Sequence, residues 1–204
     1  MSERSLILAS ASPRRKYWLE AIRVPFEVAA PEIDEAALPG ESPCDMVGRL
    51  SLGKAHAIAA ANPGRWVLAA DTTVVLEQLI LGKPENTSDA IRMLRLIQGR
   101  DHCVHTGACL MKDTEIHQLV DTAKVHIRPL TEEQIVWYVS TGEPMDKAGA
   151  YAAQGIAALF VERIEGSFST VMGLPIERLG GLFFALGLLE KWFPIFKDAP
   201  TVQF

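Results

Sequence analysis

Short apolar runs alternate with longer stretches of helical periodicity along the first half of the chain. Leu6, Ile7, Leu8 and Ala9 form a continuous apolar run suited to an interior strand, and Ser12-Pro13 supplies an N-cap followed by a proline at the first helical position. This predicts a strand over 5–9 and a helix over 13–22, with a further strand near 26–30. Ser42-Pro43-Cys44-Asp45 opens a helix over 43–61 and Asn62-Pro63-Gly64 stops it; its apolar stripe is Val47, Leu50, Ala57, Ile58 and Ala61. A strand over 66–76 comes next, returning hairpin-like to about 82, and then a helix over 88–97 capped around Thr87-Ser88. Strands near 102–111 and 115–127, a helix boxed by Thr131 and Gln134 that ends at Gly142, and a strand over 156–164 lead to a last helix from about Pro175. The alternation of types predicts an α/β fold. Leu179, Leu182, Phe183 and Leu186 give the last helix a core face, while Trp192, Phe193 and Phe196 suit a core edge or a subunit contact in a homodimer.

Against this pattern a few charged residues stand out. At about 100° per residue Lys54 falls within the apolar stripe of its helix, while His56 points away. An inward lysine either snorkels to an edge or meets an anion such as a phosphate or carboxylate. The strand-to-helix junction at Ser10-Ala11-Ser12-Pro13-Arg14-Arg15-Lys16 joins free backbone N–H groups and the positive end of a helix dipole to basic side chains, a setting that favours phosphate. Asp71, led into by the buried-type run Trp66 to Ala70, at or near a strand end and followed by Thr72 and Thr73, suits a metal ligand, a general base or a local backbone acceptor. Glu32, Asp34 and Glu35 form a second acidic group, and Lys83 is fixed in an extended loop by Pro84. Lys147 has two uses open to it, contact with phosphate or pairing with Asp146.

Ser10 to Arg15, Gly53-Lys54-Ala55, Ala70-Asp71-Thr72, Gly82-Lys83-Pro84, the run from Gly142 to Tyr151, Gln154-Gly155 and Val171-Met172-Gly173-Leu174-Pro175 together resemble the Maf family of nucleoside triphosphate pyrophosphatases. The resemblance runs in order along nearly the whole chain. It implies a single α/β domain over 1–204, related to the inosine-triphosphate pyrophosphatase architecture, with an extended mixed sheet flanked by helices and a nucleotide cleft. It implies hydrolysis of a nucleoside triphosphate to the monophosphate and pyrophosphate, dependent on a divalent cation such as Mg²⁺ or Mn²⁺. Asp71 matches the proposed proton acceptor, and Arg14, Thr72 and Gln154 match positions associated with base selection. Ser10, Ser12, Arg14, Arg15, Lys54, Lys83 and Lys147 form the expected substrate-binding set, and Glu35 with Asp71 the expected metal ligands.

The combination of Pro13-Arg14-Arg15, Asp71-Thr72 and Gln154-Gly155 resembles the branch acting on dTTP and UTP rather than the 7-methyl-GTP branch. House-cleaning of modified nucleotides fits the same chemistry. Two departures, Ala152-Ala153 ahead of Gln154 and Phe168-Ser169-Thr170 ahead of Val171, alter pocket shape without removing a charge. The family's older septum-inhibition label offers a competing reading, a nucleotide-binding regulator of cell division with incidental turnover.

Composition narrows the partners. A chain of 204 residues with 49% hydrophobic and 22% charged residues is ordinary for a globular protein, and a formal net charge of −5 gives no general drive toward nucleic acid. No apolar run is long enough to span a bilayer and no secretory-type core is present, so the cytoplasm is the expected compartment. Cys44, Cys103 and Cys109 are odd in number and irregularly spaced, which fits a reducing compartment. His102-Cys103-Val104-His105 reads as strand packing rather than a zinc site, because neighbouring side chains on a strand face opposite ways.

Overall fold

The computed structural model describes residues 5–193. Strands β1 (Leu6–Leu8), β2 (Phe26–Val28), β3 (Val67–Leu76), β4 (Leu79–Leu81), β5 (Asp101–Lys112), β6 (Glu115–Ile127) and β7 (Val161–Glu165) form one seven-stranded sheet. Its path is β2-β1-β3-β5-β6-β7, with β4 paired to β3. The β2, β1 and β3 pairings are parallel and the rest antiparallel, so the sheet is mixed as expected. Helices α1 (Pro13–Ala21) and α2 (Pro43–Ala59) make the crossovers that parallel pairing requires. Four more follow α3 (Thr87–Ile97): α4 (Glu132–Ser140), α5 (Phe168–Val171), α6 (Ile176–Ala185) and α7 (Leu188–Trp192). No helix among the described residues is long and apolar enough to cross a membrane.

The long strands β3 and β5 carry two cores on one face. Toward one end Leu68, Ala70, Ala108 and Leu110 pack with Leu8, Leu19, Leu179 and Phe183. Toward the other, Val74, Leu76 and Val104 pack with Met93, Ile97, Ile135 and Tyr138. The paired Thr72 and Thr106 fall between them. The period of two sends alternate residues to the opposite face, where Ile7, Ala9, Val67, Ala69 and Cys109 meet Ala55 of α2.

Helix α2 lies close on the sheet because Gly107, directly opposite Asp71 in the ladder, has no side chain: a Cβ there would stand 2.3 Å from the carbonyl oxygen of Val47. The buried face of α2 is Val47, Leu50, Ser51, Lys54 and Ala55. Lys54 is inward and His56 exposed, as the periodicity predicts, but Ala57 and Ala61 are exposed. The face that meets the sheet follows the 3- and 4-residue spacing from Val47 through Ser51 to Ala55, and small alanines elsewhere on a helix need no burial.

Other boundaries moved for local reasons. Asn86, not Thr87-Ser88, caps α3 by accepting from the Asp89 N–H at 2.9 Å. The first residues of the strand expected over 156–164 instead form a 3₁₀ turn, Ile156–Leu159. The Glu143 carboxylate accepts the N–H groups of Ile156 and Ala157 at 2.9 and 3.2 Å, which withdraws them from sheet pairing. The Thr131–Gln134 capping box is present, whereas the Ser12 side chain makes no capping bond to α1. Trp192 and Phe193 pack against the Phe183 cluster, with the Phe183 and Trp192 rings 5.1 Å apart. They cover a core edge, and Phe196 lies outside the described residues.

Candidate active site

A cleft of about 550 Å³ opens where the two cores separate, reached by the end of β1, the start of α1, the middle of β3 and the segment after α4. Asp71 lies inside β3 and not at a strand end, because the ladder with β5 continues past it through Val75. Ser10, Ser12, Arg14, Arg15, Glu35, Lys54, Asp71, Thr72, Lys83 and Lys147 all line it. Residues scattered from position 10 to position 147 thus converge on one concave surface.

On the α2 side, Lys54 Nζ donates to Asp71 Oδ1 at 2.6 Å and lies 2.7 Å from Glu35 Oε1. Lys54 and Asp71 are 7% and 8% exposed, so each charge depends on the other for compensation. Burial alone would raise the Glu35 pKa, but the hydrogen bond and charge of Lys54, with Lys83 and Arg15 adding, hold it below the ordinary carboxylate value. The position of Lys54 follows from the fold: Gly107 lets α2 settle on the sheet at Val47, and two turns further on the lysine stands over Asp71.

On the α1 side, Arg15 is a cross-brace. It donates through Nε to the Gly173 carbonyl at 2.8 Å, through Nη1 to Ser10 Oγ at 3.0 Å and through Nη2 to Thr72 Oγ1 at 3.2 Å. A guanidinium has five N–H groups, so two remain for a ligand. Burial lowers the Arg15 pKa, with Asp71 opposing the shift. Ser10 Oγ also accepts from the Ser12 N–H at 3.2 Å, which leaves its own O–H to donate into the cleft.

The far wall carries Lys83, Asp146, Lys147, Tyr151, Ala152 and Ala153. Arg14 Nη1 reaches Asp146 Oδ2 across the mouth at 4.0 Å. Lys147 Nζ donates to Asp146 Oδ1 at 2.5 Å and to the Glu143 carbonyl at 2.6 Å, so the pairing role open to it in the sequence is realised. Burial pushes the Asp146 pKa up, and Lys147 and Arg14 more than offset that, holding it low. Gln154 is exposed and lies outside the cleft lining, one residue beyond Ala153. Its loop is shaped by the positive φ of Gly155, where a Cβ would come within 2.7 Å of Glu143 Oε2.

Several contributors carried no clear signal. Glu143 also accepts from the Tyr138 hydroxyl at 3.0 Å, and so ties α4 to the loop that carries Gln154. Tyr151, on the cleft wall, bonds buried His102 at 2.7 Å, and burial pushes that imidazole down to about 4. His102 is buried and Cys103 half-buried, in keeping with strand alternation, and among the described residues no three His, Cys, Asp or Glu side chains form a metal-holding group. Behind Thr72, Thr106 and Thr170 continue a line of polar contacts along the sheet face, and nothing in the sequence marks that line.

A mixed α/β sheet whose central strand presents a buried carboxylate–lysine pair to a helix start rich in arginine defines a protein built to hold and act on a polyanion. The chain matches the Maf-like protein family over residues 5–185 and belongs to it. It is 48% identical over 173 residues to a dTTP/UTP pyrophosphatase of Symbiobacterium thermophilum, covering 85% of this chain and 89% of that one. The corresponding figures for the dTTP/UTP pyrophosphatase of Thermus thermophilus are 47%, 89% and 95%, and for that of Geobacter sulfurreducens 49%, 89% and 100%. The Ham1 protein of Staphylococcus aureus is similar at a TM-score of 0.43 and 16% identity over 60% of this chain and 71% of that one.

Proposed function

We propose that this protein hydrolyses nucleoside triphosphates, dTTP and UTP foremost, to the nucleoside monophosphate and pyrophosphate. The observation that carries the reading is the Lys54–Asp71–Glu35 group facing Arg14, Arg15, Lys83 and Lys147 across one cleft. Membership of the Maf-like family and the printed activity of relatives at 47–49% identity support it.

The residues divide the work. Arg14, Arg15, Lys83 and Lys147 offset the triphosphate charge, and the N–H groups at the start of α1 add donors for a phosphate oxygen. Asp71 engages Lys54 through Oδ1, which leaves Oδ2 to orient a water for attack at the α-phosphorus and to accept its proton. The water oxygen forms the new bond to the α-phosphorus as the bond to the β-phosphate bridging oxygen breaks, and pyrophosphate leaves. Lys54 holds the two carboxylates together and fixes the rotamer of Asp71.

Glu35 and Asp71 meet on the Lys54 ammonium through Oε1 and Oδ1, and their second oxygens, Oε2 and Oδ2, are hard donors of the kind that suits Mg²⁺ or Mn²⁺ in company with phosphate oxygens and a ligated water. When bound there, such an ion neutralises phosphate charge and makes a ligated water more acidic. Arg14 and Thr72 line the cleft and, together with Gln154, select the base. The cytoplasm, where such substrates and free thiols coexist, is the compartment this reading calls for.

The test is a panel of canonical and modified nucleoside triphosphates, including 7-methyl-GTP, with Mg²⁺ or Mn²⁺ and purified protein. Monophosphate and pyrophosphate in equal amounts, fastest with dTTP and UTP, is the expected result. Fastest turnover of 7-methyl-GTP contradicts the base preference alone, and binding without turnover contradicts the enzymatic reading.

A further inference from the structure

Behind the cleft a chain of hydrogen bonds runs in one direction from Arg15 to the backbone of α5. Thr106, 0% exposed and absent from the cleft lining, lies with Oγ1 2.8 Å from the Thr170 carbonyl, an atom that only accepts. The single Thr106 hydroxyl proton is therefore used there. Thr72 Oγ1 is 3.0 Å from Thr106 Oγ1, so in that contact Thr72 must donate and Thr106 accept. Thr72 also receives the Arg15 Nη2 N–H at 3.2 Å. A hydroxyl has one proton and two lone pairs, and here the proton and one lone pair are spent. What Thr72 shows the cleft is one lone pair.

The anchor of this chain is itself held. Thr170 Oγ1 donates to Asp121 Oδ2 on β6 at 2.5 Å, and the Arg178 guanidinium lies 3.4 Å from Asp121 Oδ1, so α5 is pinned to the sheet independently of Thr106. Gly173 gives the Thr72–Arg15 contact its room, since a Cβ added there would lie 3.1 Å from Thr72 Oγ1, and the bonds to Arg15 and Thr106 hold the threonine in place. Rotating the Thr72 hydroxyl toward the cleft would leave the buried Thr106 oxygen without its donor, a cost the relay avoids.

We propose that Thr106 is a positioning residue for base discrimination: by accepting the Thr72 proton it holds Thr72 as a pure acceptor, which admits the N3–H edge of uracil or thymine and rejects the N3 lone pair of cytosine. This rests on the reading that Thr72 faces the base of a pyrimidine nucleoside triphosphate. Uracil and cytosine match in size and differ at positions 3 and 4, so a rigid acceptor separates them where pocket shape does not. A site that presents a lone pair to another lone pair loses a bond and adds repulsion, whereas a hydroxyl free to turn accommodates either edge.

The experiment measures kcat and KM for UTP and CTP in wild type, Thr106→Val and Thr106→Ser. Wild type is expected to favour UTP strongly. Thr106→Val, close in volume, removes the acceptor and frees the Thr72 hydroxyl, and the UTP-to-CTP ratio of kcat/KM is expected to fall at least about tenfold, the scale of one hydrogen bond. Thr106→Ser keeps the oxygen and retains the ratio. A purely structural role would lower both nucleotides in parallel, so an unchanged ratio in Thr106→Val, or a ratio lost equally in Thr106→Ser, overturns the inference while leaving the pyrophosphatase reading in place. Wild type that does not distinguish UTP from CTP overturns the pyrimidine reading and the inference with it. Should Thr106→Val not fold, Thr106→Ala gives the same test with space opened rather than filled.

Discussion

Lys54 and Asp71 meet at 2.6 Å beneath the cleft, one from the buried face of α2 and the other from the central strand β3. Glu35 joins the same ammonium from the loop before α2, so one lysine is shared by two carboxylates. The carboxylate proposed to act on water is thereby held in one orientation before any substrate arrives. Asp71→Asn preserves the shape of the pair and removes the proposed proton acceptor. It is expected to lower turnover at least about a hundredfold, the scale of a lost general base or metal ligand, with an unchanged circular dichroism spectrum. Near-normal turnover in the folded variant removes Asp71 from the chemistry.

Lys54→Met fills similar space but leaves a buried carboxylate without its cation. A loss of stability on the order of 3 kcal/mol is expected from breaking such a pair, and Asp71→Asn added to Lys54→Met should restore much of it, because the uncompensated charge is then gone. Urea denaturation of the two variants and the double variant measures this. Additive losses would mean that the two side chains act independently.

The inward lysine was legible in advance because a single cation broke the helical stripe, and the arginine-rich helix start because Ser-Pro punctuates a strand end. Most strands and helices were legible for the same reason: their periodicity is local. What was not legible depends on pairs distant in sequence. Gly107 gives no sign in the chain that Val47 lies against it, and Glu143 gives none that it takes the backbone of Ile156 and Ala157 out of a strand. Thr106 reads as one more β-branched strand residue, and its value comes only from Thr72 on one side and the Thr170 carbonyl on the other. Gln154 was marked by resemblance to a motif, yet its exposed place outside the cleft lining is set by the turn at Gly155.

His102 links pH to stability. It is buried on the sheet with Nε2 bonded to Tyr151, and burial lowers its pKa from 6.5 to about 4. Between those two values the unfolded chain binds a proton that the folded chain refuses, so stability is full above pH 6.5 and falls as the pH drops toward 4. The loss approaches about 3 kcal/mol at the lower end. His102→Gln, which keeps a hydrogen-bonding group for Tyr151, is expected to flatten this part of the profile. Urea titrations of both proteins at several pH values across that window report it directly, and an unaltered slope in the variant would assign the acid sensitivity elsewhere.

The most direct measurement is the position of bond cleavage: UTP turned over by the purified protein in ¹⁸O-labelled water with Mg²⁺, and the products resolved by mass spectrometry. Water attack at the α-phosphorus places the label in UMP and leaves pyrophosphate unlabelled, with the two products in equal amounts. Label in orthophosphate or pyrophosphate, with UDP formed or UMP unlabelled, would contradict the assignment of Asp71 and its cleft to pyrophosphate release.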